Sequence, residues 1–165
     1  VKLLNFFSIN FSKNYKLYIL IFIRWVVCSC LLYLLTFLVF PEKLFELYNN
    51  NRNLLYKILI FYPFLSALPQ EFIFCTFFFN RYNSLFRTKN NIIIMSAVLF
   101  CFAHIFFINL IAPILSLFGG ILFAYTYYKT KSLLVVSIEH SLYGNTLFFF
   151  RFRLVFLGRV HRQLS

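Results

Sequence analysis

Three side chains stand out because their chemistry is costly where the sequence puts them. Glu71, His104 and His140 each lie inside an apolar run, and an ionisable group inside a bilayer costs about 2.5–3.5 kcal/mol on insertion scales. The chain has 3 His and 4 acidic residues, all Glu: Glu42 and Glu46 fall in a loop and His161 in the tail, which leaves Glu71, Glu139, His104 and His140 inside. A carboxylate beside an imidazole can activate water, and a helix N-terminus or a nearby His⁺ can keep that carboxylate ionised. A second His with an amide such as Asn145 can stabilise a developing oxyanion. Counting from the basic loops puts Glu71 roughly 15 Å deep, His104 roughly 20 Å and His140 roughly 14 Å, at about 1.5 Å per residue. Three helices thus carry these groups to similar depth, as a shared polar cavity requires.

Other readings compete. A lone His on an apolar helix commonly bonds a backbone carbonyl. Glu71, His104 and His140 form an alternative Zn²⁺ set, but no HExxH or comparable spacing supports it and no cofactor is expected. A proton relay through the same three residues is a further option. Glu139 points about 100° away from His140 around the helix and pairs, on this reading, with an interfacial cation. Cys28, Cys30, Cys75 and Cys101 sit in apolar stretches without CxxC spacing and read as small buried hydrophobes. Gly119, Gly120 and Gly144 read as points of close helix contact.

The elements that must hold these residues follow from composition. Of 165 residues 62% are hydrophobic and only 12% charged, with 26 Phe and 11 Tyr. So much apolar surface cannot be hidden in a globule of this size, which excludes a soluble enzyme and a disordered tail. The net charge of +12 comes in short clusters between apolar runs, the pattern of anchors on anionic lipid rather than of nucleic-acid binding. An all-α polytopic transmembrane bundle of about five to six membrane segments is expected.

The spans read as Leu17–Phe40, Leu54–Tyr82, Asn91–Leu110, Ile114–Tyr128 and Ser132–Phe150. Leu17–Phe40 exceeds a signal-peptide core and lacks a small-residue cleavage site, so it is expected to be retained, with Arg24 snorkelling to the interface. Pro63 and Pro69 are expected to break Leu54–Tyr82 into a helix to about Ala67 and a second with Pro69 in its first turn, a re-entrant arrangement being the alternative. Pro113 is expected to separate the third and fourth spans. The organisation is residues 1–53 (basic segment, first helix, polar loop), 54–150 (the core) and 151–165 (a basic tail with Arg151, Arg153, Arg159 and Arg162). Basic residues divide evenly between the two faces, so orientation is not readable.

Three segments carry a resemblance. Gln70-Glu71-Phe72-Ile73-Phe74-Cys75, Phe100-Cys101-Phe102-Ala103-His104 and His140-Ser141-Leu142-Tyr143-Gly144-Asn145 resemble the EExxxR, FxxxH and HxxxN motifs of the CPBP family, in that order on successive helices. This family holds the type II CAAX prenyl endopeptidases and the bacteriocin-processing and abortive-infection membrane proteases. The resemblance covers about Leu54 to Phe150 and implies a glutamic intramembrane endopeptidase, historically described as a metalloprotease. It implies that Glu71 and His104 activate water while His140 and Asn145 supply the oxyanion site. The implied partners are membrane lipid and a peptide or protein substrate, prenylated or a leader peptide, with no nucleic acid, in a bacterial cell membrane. Three positions depart from the motifs: Gln70 for the first Glu, Cys75 for the Arg, and Asn145 one residue late, with Gly144 in its place. These departures define the alternative, a catalytically degenerate member acting as a membrane immunity or binding protein.

Overall fold

The computed structural model describes residues 11–39, 41, 44–105 and 111–150, with side chains at 11–14, 46 and 111 excepted. The expectations for Glu42, for Phe40, for 106–110 of the third span and for the basic tail with His161 lie outside the described residues. Those described form an all-α bundle without a strand: α1 (Phe11–Val39), a short α2 (Glu46–Asn50), α3 (Arg52–Leu85), α4 (Lys89–Ala103), α5 (Ile111–Thr130) and α6 (Leu133–Phe149).

Local chemistry marks the helix starts. Asn51 accepts from Leu54 N at 3.0 Å, Thr88 from Asn91 N at 3.3 Å and Ser132 from Val135 N at 3.4 Å, each satisfying an amide that its helix leaves unpaired. Tyr15–Val39 and Arg52–Leu85 are long and apolar enough to cross a membrane, and Lys89–Ala103 is a shorter apolar helix. Large apolar side chains cover the outside: Leu65 is 75% exposed, Leu38 68% and Phe64 66%. A belt of that kind is stable against lipid tails and unfavourable against water.

The expected break at Pro63 and Pro69 does not occur. The helix runs on from Arg52 to Leu85 through two wide π-helical turns, Pro63–Ala67 and Phe72–Phe77, the first of which begins at Pro63 and ends just before Pro69. In the first, Leu68 N–H donates to Pro63 O, five residues back, so the backbone passes a residue that would obstruct a regular α-turn. Helix α4 stops at Ala103, where His104 N donates to Cys101 O at 2.9 Å in a tightened last turn. Pro113 stands in the first turn of α5, where a proline is tolerated, rather than between two helices.

Helix α6 is the axis of the bundle, buried on several sides through Leu133, Val136, Glu139, His140 and Gly144 and packed by α1, α3 and α5. Cys75, Phe78, Phe79, Ile92, Phe100, Phe123 and Tyr127 form the core around it. Helices α4 and α5 meet where Gly120 faces Ala97, and a Cβ at Gly120 would stand 3.0 Å from Ala97 Cα. Small residues there let the two backbones close up.

Arg24 does not snorkel. It turns into the bundle, donating to Glu139 Oε1 at 2.6 Å and Thr126 Oγ1 at 3.1 Å, because Glu139 is fully buried on the facing helix and needs a cation. Glu139 thus pairs with a cation inside the bundle, not at the interface. Beside it, Trp25 Nε1 donates to Leu142 O and Thr146 Oγ1, so α1 is fastened to α6 by polar side chains. Of the four thiols, all free, only Cys75 is buried; Cys28 and Cys101 are half-buried and Cys30 is exposed on α1.

Candidate active site

The site is assembled on α6 and closed by α3, α4, α5 and α1. Glu71 is 1% exposed and sits between the two π turns of α3. Its Oε1 accepts from His140 Nδ1 at 2.7 Å. The other ring nitrogen of His140, Nε2, meets Tyr62 Oη at 2.9 Å. The His140 ring is stacked on Phe123, with centroids 4.6 Å apart and planes 15° apart, and Phe100 meets it edge-on at 5.5 Å. Both nitrogens and one face of this imidazole are therefore occupied, which fixes its orientation.

His104 reaches the same place from the end of α4. Its Nδ1 lies 2.8 Å from Phe100 O. A carbonyl only accepts, so Nδ1 carries the hydrogen, and in the neutral ring Nε2 holds the basic lone pair. Phe100 lies against both imidazoles, 4.6 Å from His104 and 5.5 Å from His140. His104 also lies within electrostatic reach of Glu71 and His140.

The two histidines and Tyr62 line a cavity of about 290 Å³, whose remaining wall is mostly apolar, with Leu31 and Leu35 of α1, and also carries Ser116 and Tyr143. Glu71 is behind His140, on the protein side of the ring. Such a cavity, mostly apolar with a few converging polar groups, is the usual form of a small-molecule or peptide-side-chain site.

Glu71, His104 and His140 are thus brought together from three helices, and the common depth expected of them corresponds to a real neighbourhood. The direct partner of Glu71 is His140, not His104. Asn145 stands apart: its Nδ2 donates to Leu59 O at 3.3 Å, on the α3 side. Five residues at about 100° each turn it about 140° from His140, whereas a fourth-residue spacing would leave about 40°. That fourth position is Gly144, which lines the cavity. Gln70 donates to Ser66 Oγ at 2.9 Å within its own helix, and Cys75, buried one turn beyond Glu71, is close enough to interact with it electrostatically.

Tyr62 is the residue that sequence reasoning missed. Among 11 tyrosines nothing in its type or spacing singles it out beyond its place before Pro63. Metal-holding geometry is not present: among the described residues no three His, Cys, Asp or Glu side chains converge on one point. His140 would have to release Glu71 or Tyr62 to act as a ligand, so these residues do not fit a zinc ion as they stand.

The chain matches the family model for type II CAAX prenyl endopeptidase Rce1-like proteins over residues 52–145, more than half its length. That stretch contains Tyr62, Glu71, His104, His140 and Asn145, while Arg24 and all of α1 lie before it. No curated protein and no solved structure matches the chain. With its apolar helices and lipid-facing surface it is an integral membrane protein, and it belongs to the family of type II CAAX prenyl endopeptidase Rce1-like proteins.

Proposed function

We propose that this protein is a multi-pass membrane endopeptidase that hydrolyses a peptide bond of a membrane-associated protein or peptide, by water activated through Glu71 and His104. The observation that carries the reading is the buried Glu71–His140 contact at 2.7 Å, placed where His104 lines the same cavity. A buried carboxylate held against one imidazole and near a second is expensive unless it serves a purpose.

The chemistry follows from the tautomers. A water in the cavity adds through its oxygen to the peptide carbonyl carbon, and one of its protons goes to His104 Nε2. The negative charge of Glu71 stabilises the imidazolium that forms. The π pair of the carbonyl moves onto its oxygen, facing the His140 end of the site, where positive charge or a hydrogen-bond donor stabilises it. On collapse the C–N bond breaks, and the His104 proton passes to the departing nitrogen. Asn145, engaged with Leu59 O, enters by anchoring α6 to α3. The apolar wall suits a substrate presented from the bilayer, prenylated or a leader peptide, in a bacterial cell membrane.

The test is cleavage of a farnesylated CAAX-type peptide and of a leader peptide by purified protein in detergent micelles. Glu71→Gln and His104→Ala are each expected to abolish cleavage while the fluorescence of Trp25 stays native. Cleavage retained in both variants overturns the reading. One observation favours a second reading, a non-catalytic immunity or binding protein: Gln70 and Cys75 place no ionised side chain next to Glu71 on its own helix. That reading predicts an inactive wild type that Gln70→Glu or Cys75→Arg activates.

A further inference from the structure

His140 has no ring nitrogen left for a substrate. Nδ1 is bonded to Glu71 and Nε2 to Tyr62, and Phe123 covers one face. Tyr62 lines the cavity beside it, as do the hydroxyl-bearing Tyr143 and Ser116, and of these the phenolic hydroxyl of Tyr62 is the one bonded to His140. Gly144 is what admits the ring: a Cβ there would fall inside the van der Waals radii of Tyr62 Cε1, Cζ and Oη. The neighbouring amide, Asn145, is committed to Leu59 O on α3.

The geometry points to Tyr62 as a catalytic residue, the hydrogen-bond donor to the substrate carbonyl oxygen, with His140 and Glu71 behind it; this rests on the endopeptidase reading. With both nitrogens of His140 protonated, Nδ1–H donates to the Glu71 carboxylate and Nε2–H donates to Tyr62 Oη. The phenolic hydrogen is then turned to the substrate. As water adds, the carbonyl π pair moves onto oxygen and the bond from Tyr62 strengthens, while the phenolic O–H remains whole and no proton leaves it. His140 acts through Tyr62, polarising the hydroxyl. The close approach permitted by Gly144 is therefore part of the site and not only of helix packing.

The test compares wild type, Tyr62→Phe, Gly144→Ala and the double variant on the two peptides named above, with Trp25 fluorescence reporting the fold. Tyr62→Phe keeps the ring contacts to His140 and Phe148 and removes only the hydroxyl. Loss of one such donor is expected to lower kcat about 100-fold with KM unchanged. Gly144→Ala displaces the ring and gives a similar loss, and the double variant falls no further than Tyr62→Phe alone. If Gly144→Ala does not fold, Tyr62→Phe decides. A kcat for Tyr62→Phe within threefold of an active wild type, or a change confined to KM, overturns the inference and leaves the endopeptidase reading standing. A wild type inactive on both peptides overturns both.

Discussion

Replacing Arg24 by Met removes the cation that accompanies Glu139 inside the bundle. The Arg24 side chain is 17% exposed and that of Glu139 0%, so the carboxylate is stranded in the interior while the arginine has a route to the surface. Two bonds from the guanidinium are lost, one to the carboxylate at 2.6 Å and one to the Thr126 hydroxyl at 3.1 Å, together about 3–6 kcal/mol. Breaking a buried pair from one side generally costs about 3–5 kcal/mol, and the partial exposure of Arg24 favours the lower end. We expect about 3 kcal/mol for Arg24→Met. For Glu139→Met we expect about 2 kcal/mol, because the arginine left behind can turn outward. The double variant should lie within about 1 kcal/mol of wild type, since Arg24 Nε and Glu139 Oε2 have no partner in the pair as it stands and two apolar chains leave just the Thr126 hydroxyl to find another partner. The assay is unfolding in mixed micelles with rising dodecyl sulfate, followed by Trp25. This is the chain's single tryptophan, bonded to Leu142 O and Thr146 Oγ1 next to the substituted position. A double variant as unstable as the two single variants summed, or an Arg24→Met cost below about 1 kcal/mol, refutes the reasoning.

Gly120→Val should force α4 from α5, since a Cβ already stands 3.0 Å from Ala97 Cα and 3.3 Å from Phe100 Cδ1; we expect about 2–3 kcal/mol lost in the same titration. Asn51→Ala removes the cap on Leu54 N and should cost about 1 kcal/mol, with Asn51→Asp close to neutral. Peptide cleavage should be unchanged by EDTA or 1,10-phenanthroline, because both nitrogens of His140 are already engaged by protein groups; an activity lost to chelator and restored by Zn²⁺ would contradict this.

Much of the site was legible because charge is scarce. With two Glu and two His inside apolar runs, counting residues from the basic loops was enough to put Glu71, His104 and His140 in one neighbourhood. Helical spacing likewise separated Glu139 from the site. What the spacing could not show was partner choice. Arg24, 115 residues from Glu139 in the chain, reads as an interfacial anchor until the fold turns it inward. The breaks expected at Pro63 and Pro69 failed for a related reason. Proline forbids a regular α-turn locally, but a widened turn supported by neighbouring helices lets the helix continue.

The solvent, the secondary structure class and the short list of reactive groups are readable from the amino-acid order alone. These depend on composition and local period: 12% charge and long apolar runs leave only helices in a bilayer. The tertiary structure alone decided how those groups are connected. In a regular α-helix Tyr62 and Glu71, nine residues apart, would lie about 180° from one another. The π turn over Pro63–Ala67 adds one residue between them and brings them within about 80°. Both can then reach the same imidazole, one at each nitrogen. Gly144 completes the arrangement by leaving the volume that the tyrosine ring fills. Helical period is visible in a sequence, whereas the place where a helix departs from its period depends on what packs against it.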